Sequence, residues 1–129
     1  MDLAAYFDKA EGTGILATCD PGNSVDVAIY AKPVVIDPDT VALVMRQRLS
    51  HQNLRANLAA AYMFIEKSPE YKGLRLHLTM QREETNQTLI EAIRKKQPCI
   101  CSENDDSEKF LVFFKVNRIR PLVGDDIIR

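Results

Sequence analysis

The sequence predicts a mainly β domain, a small antiparallel barrel with helices at its rim. Three observations lead there. Several short segments alternate apolar and polar residues, most clearly 24–31 and 74–81. Tight-turn sequences, Asp20-Pro21-Gly22-Asn23 and Asp37-Pro38-Asp39-Thr40, separate neighbouring strand candidates. The helical stretches are short and do not alternate regularly with the strands, which favours antiparallel pairing over βαβ units.

The elements follow in order. Asp2 caps a short helix on which Leu3, Tyr6, Phe7 and Ala10 share a face, and Gly12 and Gly14 end it. Ile15 to Cys19 reads as a strand. From Ser24 to Ala31, Val25, Val27, Ile29 and Ala31 point one way and Ser24, Asp26, Ala28 and Tyr30 the other. Lys32-Pro33 interrupts the pattern, and Val34 to Ile36 continues as extended chain. Val41 to Met45 is a short apolar strand. Ser50 is placed to cap a helix through Leu58, with Leu49 and Leu54 as a hydrophobic staple and with Leu54 and Leu58 facing the core. Ala61 to Ile65 is another strand, ended by Ser68-Pro69-Glu70. Leu74, Leu76, Leu78 and Met80 line one face of the next, and Arg75, His77, Thr79 and Gln81 the other. Thr85 or Asn86 caps a helix with Leu89, Ile90 and Ile93 inward; Arg94, Lys95 and Lys96 suit its negative end, and Pro98 stops it. An acidic loop, 102–108, leads to a long last strand from Phe110 to Leu122.

Composition bounds the function. A chain of 129 residues fits one domain, 1–129, and is long enough to bury a core without disulfides. Its net charge of -1 gives no long-range pull toward nucleic acid or acidic membranes. No apolar run reaches the length of a membrane span, and the start of the chain does not read as a signal peptide. Three cysteines without framework spacing fit reduced thiols in a cytoplasmic protein, and Cys99-Ile100-Cys101 does not make a zinc site. His51 and His77, the two histidines, are joined by no dense carboxylate cluster, so no metal is expected. The acidic run Glu103, Asp105, Asp106 and Glu108 lacks the spacing of a calcium loop. Gly-rich phosphate loops and the serine nucleophile elbow are also missing.

The segment from Met45 to Asn53 carries the chemistry. A strand runs out, Arg46, Gln47 and Arg48 follow, and a helix begins. Open N–H groups and partial positive charge at a helix start attract phosphate. Arg46, Arg48 and His51 add charge or donors, and Ser50, Gln52 and Asn53 add neutral ones. A solvated loop with a routine serine cap accounts for the same residues. Arg75 faces outward on its strand with His77, Thr79 and Gln81, either as part of a site or as a solvent face.

Gly14 to Cys19, Val25 to Ala31, Val41 to Met45, Ser50-His51-Gln52-Asn53-Leu54-Arg55-Ala56-Asn57, Gly73 to Leu76 and Phe113 to Leu122 together resemble the pyridoxamine 5'-phosphate oxidase-like split barrels. Their order and spacing carry the likeness, which spans nearly the whole chain. The resemblance implies a six-stranded antiparallel split barrel with flanking helices, paired as a homodimer with FMN at the interface. By position, the backbone around Ala28, Ile29, Tyr30 and Ala31 would edge the flavin ring, Met45, Arg46 and Gln47 would line its polar edge, and Ser50, His51 and Gln52 would hold the phosphate. The resemblance thereby favours the phosphate reading of the helix start. Many members carry lysine at the position of His51, so Arg46 or Arg48 would supply the charge here. The biosynthetic oxidase is longer and has a basic, aromatic C-terminal segment that this chain lacks. The implied activity is therefore an FMN-dependent oxidoreductase acting on a small molecule or an electron-transfer partner, with no catalytic side chain assigned. The alternative is a non-catalytic module for flavin, haem or another cofactor. A nucleic-acid-binding barrel is disfavoured by charge.

Overall fold

The computed structural model describes residues 1–46, 48–95 and 109–129. In chain order these form α1 (Leu3–Lys9), β1 (Gly12–Cys19), β2 (Val25–Tyr30), β3 (Val34–Asp37), β4 (Thr40–Arg46), α2 (Leu49–Ala56), β5 (Ala59–Glu66), β6 (Gly73–Glu84), α3 (Gln87–Arg94) and β7 (Lys109–Pro121). Gln47, the expected helix stop at Pro98, Cys99, Cys101 and the acidic 102–108 loop lie outside the described residues.

The strands form one seven-stranded sheet in the order β2-β1-β5-β6-β7-β4-β3, and every pairing is antiparallel. This corrects the expected six-stranded barrel. Pro33 has no N–H to donate, so the ladder cannot run through it. The chain leaves β2 at one edge and re-enters as β3 at the other, pairing with β4. The sheet stays open between these edges.

One face of the sheet supplies the main core. Register places Leu16, Tyr62, Leu76 and Ile119 in one row across β1, β5, β6 and β7. Val41, Leu43 and Met45 of β4 join the same cluster, as do Leu3 and Phe7 of α1 and Leu54 of α2. Tyr6, Phe7, Tyr62 and Phe64 meet edge to face with centroids 5.1–6.4 Å apart. On the opposite face Ile90 of α3 packs with Ala42, Leu111 and Phe113.

Two caps agree with the sequence. Asp2 accepts from the Ala5 amide and Asn86 from the Leu89 amide, at 3.1 and 3.2 Å. Leu89 itself is exposed rather than inward. The C-terminal tail folds back on its own chain. Ile119 and Arg129 exchange backbone hydrogen bonds of 3.1 and 3.3 Å along the stretch of β7 that β4 does not reach.

Gly14 is required for a specific contact. The Tyr62 hydroxyl passes over it to donate to the Ala31 carbonyl at 2.9 Å, which ties the end of β2 to β5 across β1. A Cβ on Gly14 would strike that hydroxyl and would lie 2.6 Å from the Tyr30 carbonyl oxygen. Gly14→Ala should therefore destabilise the protein by about 1–3 kcal/mol, the usual scale of overpacking. A denaturant midpoint that stays at the wild-type value would contradict this contact.

Candidate functional site

The strand-to-helix corner after β4 is built by what α2 buries. An amphipathic helix normally buries leucines. Here the buried residues are Ser50, His51, Asn53 and Leu54. Leu49, expected as a staple, is 53% exposed, and Leu58 lies beyond the helix and is half exposed. The polar side chains are buried because each has a partner on a different strand, which offsets their desolvation.

On one side, Asn53 Nδ2 donates to Thr18 Oγ1 of β1 at 3.0 Å. Ser50 is hydrogen-bonded to the Tyr30 hydroxyl at the end of β2. On the other side, His51 Nε2 lies 2.6 Å from the Glu83 carboxylate of β6, and its ring stacks on Phe110 of β7 with centroids 4.1 Å apart. Arg55 approaches the same carboxylate at 3.0 Å. Helix α2 thus bridges the β1–β2 edge and the β6–β7 side of the open sheet.

Ser50 is not the cap. The N-cap is Arg48, which makes no side-chain cap bond, and the first intrahelical bond runs from the Gln52 amide to the Arg48 carbonyl at 3.0 Å. The first-turn amides thus have no cap bond from the Arg48 side chain, and they carry the positive end of the helix dipole. Arg48 is exposed and close enough to Tyr30 to influence its phenol. Burial pushes that phenol above its usual range and Asp26 adds to this, while the Ser50 bond and Arg48 oppose it. Tyr30 is thereby held protonated, with its ring against the core and its hydroxyl at the helix start.

The other predicted residues divide. Ala28 and Ala31 are partly buried, and the Ala31 carbonyl is taken by Tyr62. Ile29 points to the opposite face, where it is 63% exposed. The Met45 side chain is in the core. Arg46 ends β4 opposite Lys109, and Gln52 is exposed. The ε edge of His51 is turned to Glu83, and no group among the described residues hydrogen-bonds its Nδ1. Arg75 does not join this corner through any contact; its guanidinium donates to the Pro121 carbonyl at 2.9 Å and to that of Gly124.

Glu83 and Thr18 are the partners the sequence reading did not place here, and Tyr30 entered it only through its backbone beside the ring. Glu83 sits at the end of a long strand, and nothing in its spacing points to His51. Removing either His51 or Glu83 leaves a polar atom without its bond, at a cost of about 1–3 kcal/mol. A double-mutant cycle of His51→Ala and Glu83→Ala should return a coupling energy of about 0.5–3 kcal/mol in urea unfolding. Strictly additive effects would show that the pair does not hold the helix.

No family model and no curated protein matches the chain. Solved structures do. The chain is similar to an FMN-binding protein from Syntrophomonas wolfei subsp. wolfei, at 16% identity and a TM-score of 0.76, with 97% of this chain and 86% of that one covered. It is similar to an F420 reductase, at 16% identity and a TM-score of 0.67, with 87% and 91% covered. It is also similar to a general stress protein 26-related protein of the pyridoxinephosphate oxidase family from Clostridium acetobutylicum, at 11% identity and a TM-score of 0.65, with 96% and 88% covered. The chain therefore has the fold of the pyridoxamine 5'-phosphate oxidase-like proteins, as the sequence resemblance implied.

Proposed function

We propose that this protein is an FMN-binding flavoprotein of the pyridoxamine 5'-phosphate oxidase-like family, working as a homodimer and an oxidoreductase on a small molecule or an electron-transfer partner. One observation carries the reading: the uncapped first turn of α2 meets Arg48 and the Ser50–Tyr30 pair at one corner. These groups fit a phosphate. Backbone amides donate along the helix axis, and an arginine fork adds charge-assisted bonds. Arg46, Gln47 and Gln52 flank the corner in sequence. His51 holds the helix through Glu83, so Arg48 takes the charged role that a lysine has in many family members.

The ring would lie along Ala28 to Ala31, where Tyr62 fixes the backbone. When bound, the flavin supplies hydride or electron transfer, and the protein supplies position and electrostatics. The second protomer would cover the outer face of β2. Val25, Val27 and Ile29 there are 77%, 67% and 63% exposed, an apolar strip on the strand that carries the ring segment. The structural neighbours described as FMN-binding and as an F420 reductase support a flavin or deazaflavin ligand.

The second reading, a cofactor-binding module without turnover, is favoured by the commitment of His51 to Glu83, which leaves fewer charges for the phosphate. Absorption separates the readings. The purified protein should be yellow or take up added FMN, sediment as a dimer, and lose its flavin absorbance under a reductant that its substrate reoxidises. A Soret band would favour haem instead. Replacing Arg48 and Ser50 together by alanine should weaken FMN binding on the order of ten- to a hundredfold, from charge-assisted bonds worth about 1.5–3 kcal/mol. Unchanged affinity in a folded variant would place the phosphate elsewhere.

A further inference from the structure

We propose that the outward face of β6 and β7 holds a second anion site, formed by Arg75, His77, Arg118 and Arg120, for a small molecule with a multiply charged phosphate or carboxylate group. Register sets these residues directly opposite in pairs, Arg75 with Arg120 and His77 with Arg118. The two charged arginines of the first pair repel in that position, so the arrangement costs stability as it stands. Among the described residues, no carboxylate forms an ion pair with any of the four. Partial burial, and after it the charges of Arg120, Arg75 and Arg118, hold the His77 imidazole below its usual range.

The guanidinium groups are held in place from behind. Arg75 donates to the Pro121 and Gly124 carbonyls, and Arg120 donates to the Asp125 carbonyl at 2.7 Å. Each of these bonds uses a backbone oxygen and leaves the charge uncompensated. An arginine has five N–H donors, so both keep donors for a ligand. Arg118, opposite His77 and two residues before Arg120 on β7, is exposed. Preorganised forks of this kind match oxyanions better than mobile lysines do. The C-terminal turn therefore serves to aim Arg75 and Arg120. The site shares none of Arg48, Ser50 and Tyr30, so its fate is independent of the cofactor reading.

The chain has two histidines, which makes the test direct. The imidazole NMR signals of the full chain are followed while pyrophosphate or citrate is added at constant ionic strength. His77 should shift saturably with at least one of them, whether or not His51, in the first turn of α2, responds as well. Binding of either anion supports the site, and the tighter one names the headgroup. Arg118→Gln should weaken the response roughly tenfold or more, as expected for losing one charge-assisted partner, with the His51 signal unchanged as proof of fold. A linear response, one matched by chloride, or one unaltered in Arg118→Gln would overturn the proposal.

Discussion

The structure depends on one helix that buries polar groups to bridge an open sheet. The seven strands leave the outer sides of β2 and β3 unpaired at the two edges. Helix α2 ties the β2 side of the sheet to β6 and β7. Its Asn53 is bonded to β1 and its His51 to β6, and Leu54 enters the core between them. A buried hydrogen bond contributes about 1 kcal/mol net, whereas a broken one costs more because the stranded group has lost water. The geometry is thereby specified more strongly than apolar packing alone would specify it, since sliding the helix by one residue would orphan both bonds.

That bracing also positions the chemistry. With the helix tied on both sides, its first turn is fixed beside the end of β2, where Tyr30 meets Ser50. The same end of β2 is anchored from below by Tyr62, whose hydroxyl reaches Ala31 past Gly14. Two independent tethers therefore hold the strand end and the helix start. A rigid corner of open amides beside an arginine suits an anionic group that must be held at a set distance from a ring.

The sequence made the strands legible because their alternation is a property of single segments. Leu74 to Met80 and Val41 to Met45 read correctly, and so did the cap Asp2, while of the two candidates Thr85 and Asn86 the cap is Asn86. The seventh strand was visible as extended chain after Pro33, but the jump to the far edge was not, because pairing partners are non-local. The α2 reading failed for a physical reason. Leucine spacing predicts an apolar helix face, and Leu49 and Leu58 are exposed because Ser50, His51 and Asn53 are buried instead. Their partners Tyr30, Glu83 and Thr18 come from three other strands, and no local pattern announces them. The same holds for the basic face. Arg75 and His77 stood out on one strand, but Arg118 and Arg120 join them only through the β6–β7 register.

The central claim is that the corner between β4 and α2 receives a phosphate. Its most direct test compares FMN with riboflavin, which carries the same ring without the phosphate, by quenching of flavin fluorescence on the wild-type protein. The account predicts that FMN binds at least about tenfold more tightly, the least that one charge-assisted bond at the helix start would give. Equal affinity for the two flavins, or binding of neither, would contradict it.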